Sequence, residues 1–330
     1  MRDIARALGV SQSTVSRVLS GAPSTVPIAD RTRQRIVEEA QRLGYRPNPL
    51  ASGLRGARTR LLGVIMSIFG PFATGAMDVL SAEANSLGYN TVLGNAHGRA
   101  DEAMAIRTVL ETRHCDAILL VGDTSDHPRL VEDLRTTAVP LVAIWQGIAL
   151  PGICTVNVDN QAGTDELLNH LAGLGHRRIA FIGAAGRQGD IYQRQLAYLD
   201  FMTRMGEEAP PTFIHRSPDD PAGGAEGLEA LLRLPDPPTA VYCSTDVLAI
   251  GALHGAHRSG VRVPGDVSIV GFDDIPFAAF TVPSLTTVHM PTAEMARIGV
   301  REALEPDPGP EAKEFKVSPS LVIRQSTGPA

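Results

Sequence analysis

The chain has 330 residues, 43% of them hydrophobic, 5% aromatic and 20% charged, with a formal net charge of −6. That length admits a small domain plus one large or two medium domains. No run resembles a membrane span and an Arg-bearing segment stands where a secretory signal would, so an integral-membrane or exported protein is not expected and the cytoplasm is.

Charge is divided unevenly. Residues 1–60 hold eleven arginines against Asp3, Asp30, Glu38 and Glu39, a balance of +7, which leaves −13 for residues 61–330. A basic head on an acidic body points to nucleic acid. No lysine precedes Lys313, so arginine makes every basic contact in the head. Its planar fork suits guanine and phosphate.

Ile4, Ala5 and Leu8 predict one apolar stripe on a first helix, with Gly9 as its left-handed stop. Ser11 is placed to cap a second helix, whose Val15, Val18 and Leu19 share a face. Ser20-Gly21-Ala22-Pro23 ends it. Asp30 is the expected cap of a third helix with Ile36, Ala40 and Leu43 on its apolar face, and Gly44 stops that one. Two short helices around a tight turn, then a third, is the helix-turn-helix layout. Amphipathic spacing alone would equally suit a three-helix bundle with no nucleic-acid role; the charge decides for DNA.

Beyond Arg60, apolar runs alternate with amphipathic ones. Strands are predicted at 61–68, 89–95, 116–121 and 140–145, with helices near 73–87, 100–113 and 127–137. A second series follows at 178–183, 212–215, 240–244 and 267–272, spaced by helices near 161–174, 191–206, 222–233 and 246–259. Alternation of this kind means parallel sheets with right-handed crossovers, and two similar series suggest two doubly wound lobes. Cys115, Cys154 and Cys243 are odd in number and lie in or beside apolar runs, so they read as core thiols.

The head resembles that of the lactose-repressor (LacI/GalR) family, and the resemblance runs through most of the chain. It implies that the second helix lies in the major groove, with Gln12, Ser13 and Arg17 at the base-reading positions and Thr14 and Ser16 at phosphates or the helix fold. Glutamine pairs bidentately with adenine and arginine with guanine. Tyr45-Arg46-Pro47-Asn48-Pro49-Leu50-Ala51-Ser52-Gly53-Leu54-Arg55 resembles the family's hinge helix. There Leu54 matches the leucine that wedges into a central minor-groove step, with Ala51 beside it and Arg55 following. Pro49 and Gly53 weaken this helix, so it should order only when two copies dock on DNA. The family usually has a few residues and a Ser/Thr cap ahead of the first helix, whereas this sequence starts at Met1. Residues 1–46 are thus expected to be the DNA-binding domain, 47–60 the hinge and linker, and 61–330 an effector-binding and dimerisation domain. The implied fold is an all-α head plus an α/β sensor of two parallel-sheet lobes, like type I periplasmic binding proteins, with crossings near 158, 288 and 319.

Ligands in open α/β sheets bind at the carboxyl ends of strands, so the cleft between the lobes is the expected effector site. Candidates from the first series are Ser67, Phe72, Asn95, His97, Asp123 and Trp145; those from the second are Asp190, Arg194, Gln195, Thr245, Asp246 and Asp273. Trp145, the single tryptophan, ends a strand and is expected to offer a flat face to a sugar or nucleoside. Asp273, in Val270-Gly271-Phe272-Asp273-Asp274, matches the family's ligand-binding carboxylate. With Asp123 and Asp246 it favours a hydroxyl-bearing ligand over a phosphate-only anion. Relatives often carry arginine at the position of Gln195; an arginine at 194 would point about 100° elsewhere on a helix. Asp159 at the lobe crossover is read as structural.

Enzyme readings find little support. No GxxxxGK loop occurs, and Gly183-Ala184-Ala185-Gly186-Arg187-Gln188-Gly189 lacks the dinucleotide spacing. His254 and His257 could share a metal, but nothing completes the ligand set. The expectation is therefore a DNA-binding transcriptional regulator, a repressor and not an enzyme, with no cofactor or metal. Its operator affinity would be set by a small molecule, a sugar or related polyol or a nucleoside. A solute-binding receptor of the same sensor fold is the alternative, opposed by the basic head. No heptad tail follows the strand near 321–323, so a homodimer on a pseudo-palindromic operator is expected.

Overall fold

The computed structural model describes residues 1–20, 28–45, 58–67, 71–96, 106–108, 110, 115–122, 132, 136–137, 139–184, 189–207, 209–305 and 312–330. Their contacts divide the chain into two units, Met1–Arg60 and Leu61–Ala330.

The first unit contains helices α1 (Arg2–Leu8), α2 (Gln12–Ser20) and α3 (Asp30–Arg42). Ile4, Ala5, Val15, Val18, Ile36 and Ala40 form its core, as their helical spacing predicts. Gly9 takes φ 64°, the left-handed stop expected of it. Ser11 Oγ accepts the Thr14 N–H at 3.1 Å, fulfilling its capping role. Two expectations change. Asp30 is the first residue of α3, whose cap is Ala29 with no side-chain bond. Leu43 is 43% exposed, because the helix has ended there. Tyr45 packs against the core in its place and donates its backbone N–H to Ala40 O.

The second unit is built on two main sheets. Strands β1 (Leu61–Met66), β2 (Asn90–Asn95), β3 (Ala117–Val121), β4 (Leu141–Ile144) and β5 (Cys154–Val158) are parallel, in the order β2-β1-β3-β4-β5. Every residue of β3 is buried, as a central strand covered on both faces requires. Helix α4 (Pro71–Ser86) links β1 to β2. After β5 the chain enters α5 (Asn160–Gly173) and the second sheet. There β6 (Ile179–Ala184), β7 (Ile214–Ser217), β8 (Ala240–Cys243) and β9 (Ser268–Val270) lie parallel, in the order β7-β6-β8-β9. Helices α6 (Gly189–Arg204), α7 (Pro221–Leu232) and α8 (Asp246–Arg258) connect them.

Strand β10 (Thr287–His289) leads back to the first lobe, where α9 (Thr292–Leu304) packs on β3, β4 and β5. Strand β11 (Glu314–Val317) then extends the first sheet beyond β5. Finally β12 (Ser320–Val322) pairs antiparallel with β10, and Ser326 and Ala330 bond to the second lobe. The chain therefore crosses between lobes three times, close to the three expected points.

Sequence reading misses β5, β10, β11 and α9. β5 interleaves Thr155 and Asn157 with its apolar residues, β10 has three residues, and β11 carries exposed charges as an edge strand does. The buried face of α9 is Met295, Ala296, Gly299, Val300, Ala303 and Leu304, mostly small residues that give a faint apolar signal. The strand expected at 212–215 starts two residues late, because Pro210 and Pro211 set up a 3₁₀ turn first. Helix near 100–113 is described only at 106–108 and 110, and that near 127–137 only at 132.

Candidate functional sites: the reading helix and the inter-lobe cleft

On α2, Val15 and Val18 turn inward while Gln12 and Ser13 are exposed and Thr14, Ser16 and Arg17 half-buried. The predicted reading residues thus share the face that the core leaves open. Ser11 Oγ lies 2.8 Å from both Ser13 Oγ and Thr14 Oγ1, so the first turn is tied together at its surface. Ala51, Leu54 and Arg55 lie outside the described residues.

In the second unit the strand order reverses between β1 and β3 and between β6 and β8, the places beyond whose strand carboxyl ends open α/β sheets bind ligands. Arg194 of α6 sits at the second reversal, with its side chain 3% exposed. Its Nη1 donates to Ser244 O at 2.6 Å and to Asp273 Oδ1 at 3.0 Å, and its Nε donates to Asn160 Oδ1 at 3.0 Å. Its guanidinium carbon lies 3.7 Å from the centre of the Phe272 ring. Asn160 Nδ2 in turn donates to Asp190 Oδ1 at 2.6 Å. Hence Arg194 does not point elsewhere on its helix, as its offset from the family position predicts; it is the centre of the wall.

Burial alone would push the Arg194 guanidinium down, yet Asp273 and Asp190 more than offset it and hold it above its ordinary value. Asp273 is raised to about 7, first by burial and then by Asp219 and Asp190, with Arg194 pulling the other way. Asp219, which the sequence reading passed over, accepts from Thr245 Oγ1 at 2.7 Å, and burial pushes its carboxyl up, with Thr245 and Arg194 pulling the other way. Gln195 is 5% exposed, with Arg216 Nη2 3.4 Å from its Oε1. Thr245 also caps α8, accepting the Leu248 N–H at 3.3 Å.

Several candidates turn out to serve the fold. Asp246 is fully buried, accepting from Thr287 Oγ1 at 2.5 Å and the Ile275 N–H at 2.9 Å. It braces the loop that carries Asp273 and faces no cleft. Trp145 is 2% exposed. Its Nε1 donates to Met295 Sδ at 3.1 Å, and Phe72 meets it edge-on at 5.3 Å. The expected open aromatic face is therefore covered, by a helix whose existence the sequence did not reveal. Ser67 donates its hydroxyl to Val121 O at 3.0 Å. Asn95 and Phe72 are half-buried in the first lobe; His97 and Asp123 fall outside the described residues. Asp159 accepts the Ala162 N–H at 3.0 Å, the structural role expected of it.

The lobes approach closely at Gly147. Gly147, just past β4, has φ 70°, and a Cβ there would lie 2.3 Å from the backbone N of Asp190 at the start of α6. Asn160 is the other residue that sequence reasoning missed. It stands at the first crossing and joins Arg194 to Asp190, and its position beside Asp159 in the crossover motif was the available signal.

Among the described residues no cluster of three or more His, Cys, Asp or Glu could hold a metal, and no helix is long and apolar enough to cross a membrane. Cys115, Cys154 and Cys243 are free thiols, Cys154 half-buried and the others buried.

A helix-turn-helix unit followed by two doubly wound lobes, with a polar wall at the sheet-order reversal, defines a DNA-binding regulator with a ligand-sensing domain. The family description "Bacterial regulatory proteins, lacI family" matches residues 1–48, and "Periplasmic binding protein-like domain" matches residues 168–327. The chain is 32% identical to the HTH-type transcriptional repressor CytR of Escherichia coli K12, over 90% of this chain and 86% of that protein. It is 30% identical to catabolite control protein A of Priestia megaterium, over 91% and 90%. A LacI transcriptional regulator from a Rhodococcus species has a similar structure, at TM-score 0.72 and 32% identity over 82% of this chain and 98% of that one. The fold also matches the lac repressor dimer bound to operator and the anti-inducer ONPF, with TM-score 0.86 over 99% and 98% at 23% identity. The protein belongs to the LacI family: it is a DNA-binding transcriptional repressor with an effector-binding sensor domain, not an enzyme.

Proposed function

We propose that this repressor acts in the cytoplasm as a homodimer whose effector is a neutral polyhydroxy molecule, a sugar or a nucleoside, held at the second-lobe wall. The observation that carries this reading is the Arg194–Asp273 pair. The deeply buried cation of the wall, the only one among the described residues, is already matched by a carboxylate at 3.0 Å, with Asp190 and Asp219 close by. Such a wall accepts hydroxyl donors and repels phosphate. Asp190, Arg194, Gln195, Thr245 and Asp273 would contact the effector from the second lobe, and Phe72, Asn95, His97 and Asp123 from the first. Trp145, Ser67 and Asp246 would hold these groups in place.

Residues 1–46 would read DNA through Gln12, Ser13 and Arg17, with Thr14 and Ser16 supporting them. The hinge at 47–60 would insert Leu54, flanked by Ala51 and Arg55, into the minor groove. For the dimer, the second lobe exposes Phe277 (60%), Phe280 (83%) and Val282 (95%) within six residues. Apolar exposure this concentrated suits a second copy better than water. Effector binding that alters lobe closure would change how two hinge helices meet and release the operator.

A thermal-shift screen of the full chain with neutral sugars, polyols and nucleosides, beside their phosphate esters, tests the effector class. A neutral compound should give the largest stabilisation. If a phosphate ester gives it, the acidic-wall argument fails.

A further inference from the structure

Asp273 and Asp274 are consecutive non-glycine residues with φ of 115° and 53°. L side chains rarely adopt such angles, and they persist only where surroundings impose them. Here the imposing contacts can be named. Asp274 is gripped through both carboxylate oxygens: Arg324 Nη2 donates to Oδ1 at 2.6 Å, and His289 Nδ1 lies 3.0 Å from Oδ2. Arg324 is fixed in turn, since its Nη1 donates to Leu285 O at 2.8 Å and its backbone N–H to Thr286 Oγ1 at 2.9 Å.

The positions of the two gripping residues matter. His289 ends β10 and Arg324 lies two residues past β12. These strands pair with each other, and they carry the chain out to the first lobe and back. A loop that presents Asp273 to Arg194 is therefore bolted to the connection between the lobes.

We propose that Arg324 is a positioning residue: by clamping Asp274 it holds the left-handed turn that aims Asp273 at Arg194, and it ties the effector wall to the strands that join the lobes. This rests on the reading that Asp273 faces the effector. Without the clamp the turn is free to relax toward extended backbone, which swings the Asp273 carboxylate off Arg194. Glycine at 274 adopts φ 53° unaided, so Asp274→Gly discards the clamp while keeping the turn. In that background Arg324→Gln has no turn left to disturb.

The test uses the full chain as parent, Arg324→Gln, Asp274→Gly and the double variant. Thermal midpoints are read alone and with D-ribose, D-galactose, cellobiose and adenosine as probes. Arg324→Gln should lower the unliganded midpoint by several degrees, and the double variant should match Asp274→Gly instead of losing the sum. For any probe that stabilises the parent, affinity should fall about tenfold in Arg324→Gln and return in the double variant. Additive losses, or parent-like probe binding by Arg324→Gln, overturn the proposal. If no probe stabilises the parent, the sugar-or-nucleoside reading has failed, and the unliganded cycle decides the clamp by itself.

Discussion

The two units hold their candidate arginines in different settings. Arg17 is half-buried on a helix whose other face supplies the head's core. Arg194 is 3% exposed and commits its donors to Asn160, Ser244 and Asp273 before any ligand arrives. An arginine outside the core can meet a partner at a smaller cost to the fold than a fully buried one. A buried one is part of the fold, and its ligand must enter a network already satisfied.

The contrast breaks most readily at Arg194. Arg194→Met strips donors from Asp273, Asn160 and the Ser244 carbonyl together, and should cost about 3–5 kcal/mol in chemical unfolding of the full chain. A loss below about 1 kcal/mol would mean that the network is ornamental. Next in size is the lobe contact. Gly147→Ala adds a Cβ at 2.3 Å from Asp190 N on a φ of 70°, and should cost about 1–3 kcal/mol. Unchanged stability would show that the lobes do not need this approach.

Arg17→Ala sharpens the comparison from the other side. Unfolding should shift by less than about 0.5 kcal/mol. Affinity for an operator selected from a pseudo-palindromic library should weaken by about 1–3 kcal/mol. Parent-like affinity would remove Arg17 from the groove.

The smallest effect is the response to pH. The folded pKa of Asp273 is raised to about 7 by burial, and that of Asp246 is raised too. A carboxyl raised on folding stabilises the native state while it is protonated, and that contribution is lost as pH rises through the folded value. The sensor should therefore be less stable at pH 8 than at pH 6, by about 1.4 kcal/mol in all from Asp273. Asp273→Asn should flatten the slope. A parent midpoint that climbs over this interval contradicts the assignment.

How legible each part was follows from the same contrast. The head could be read from its letters because its signals are local: Gly9 stops α1, Ser11 caps α2, and Val15 and Val18 mark the buried face. Lobes and strand alternation were legible too, since parallel sheets write themselves as repeated apolar runs, while the three crossings came from the family resemblance. Asp273 and Arg194 were found through motif position. Their pairing was not, because it joins residues 79 apart in sequence. Trp145 misled for a related reason. Its fate depended on Met295, 150 residues away on a helix with a weak apolar signal.

The sequence by itself therefore determined the helix-turn-helix head, its basic charge and the alternating strands and helices of the sensor, all of which rest on periodicity, caps and charge within short windows. Only the tertiary structure decided which polar residues are buried and which of them pair. Burial and pairing are properties of where distant segments meet, and Asp246 and Asp273, each just past the end of a strand in the same sheet, take opposite parts on that account alone.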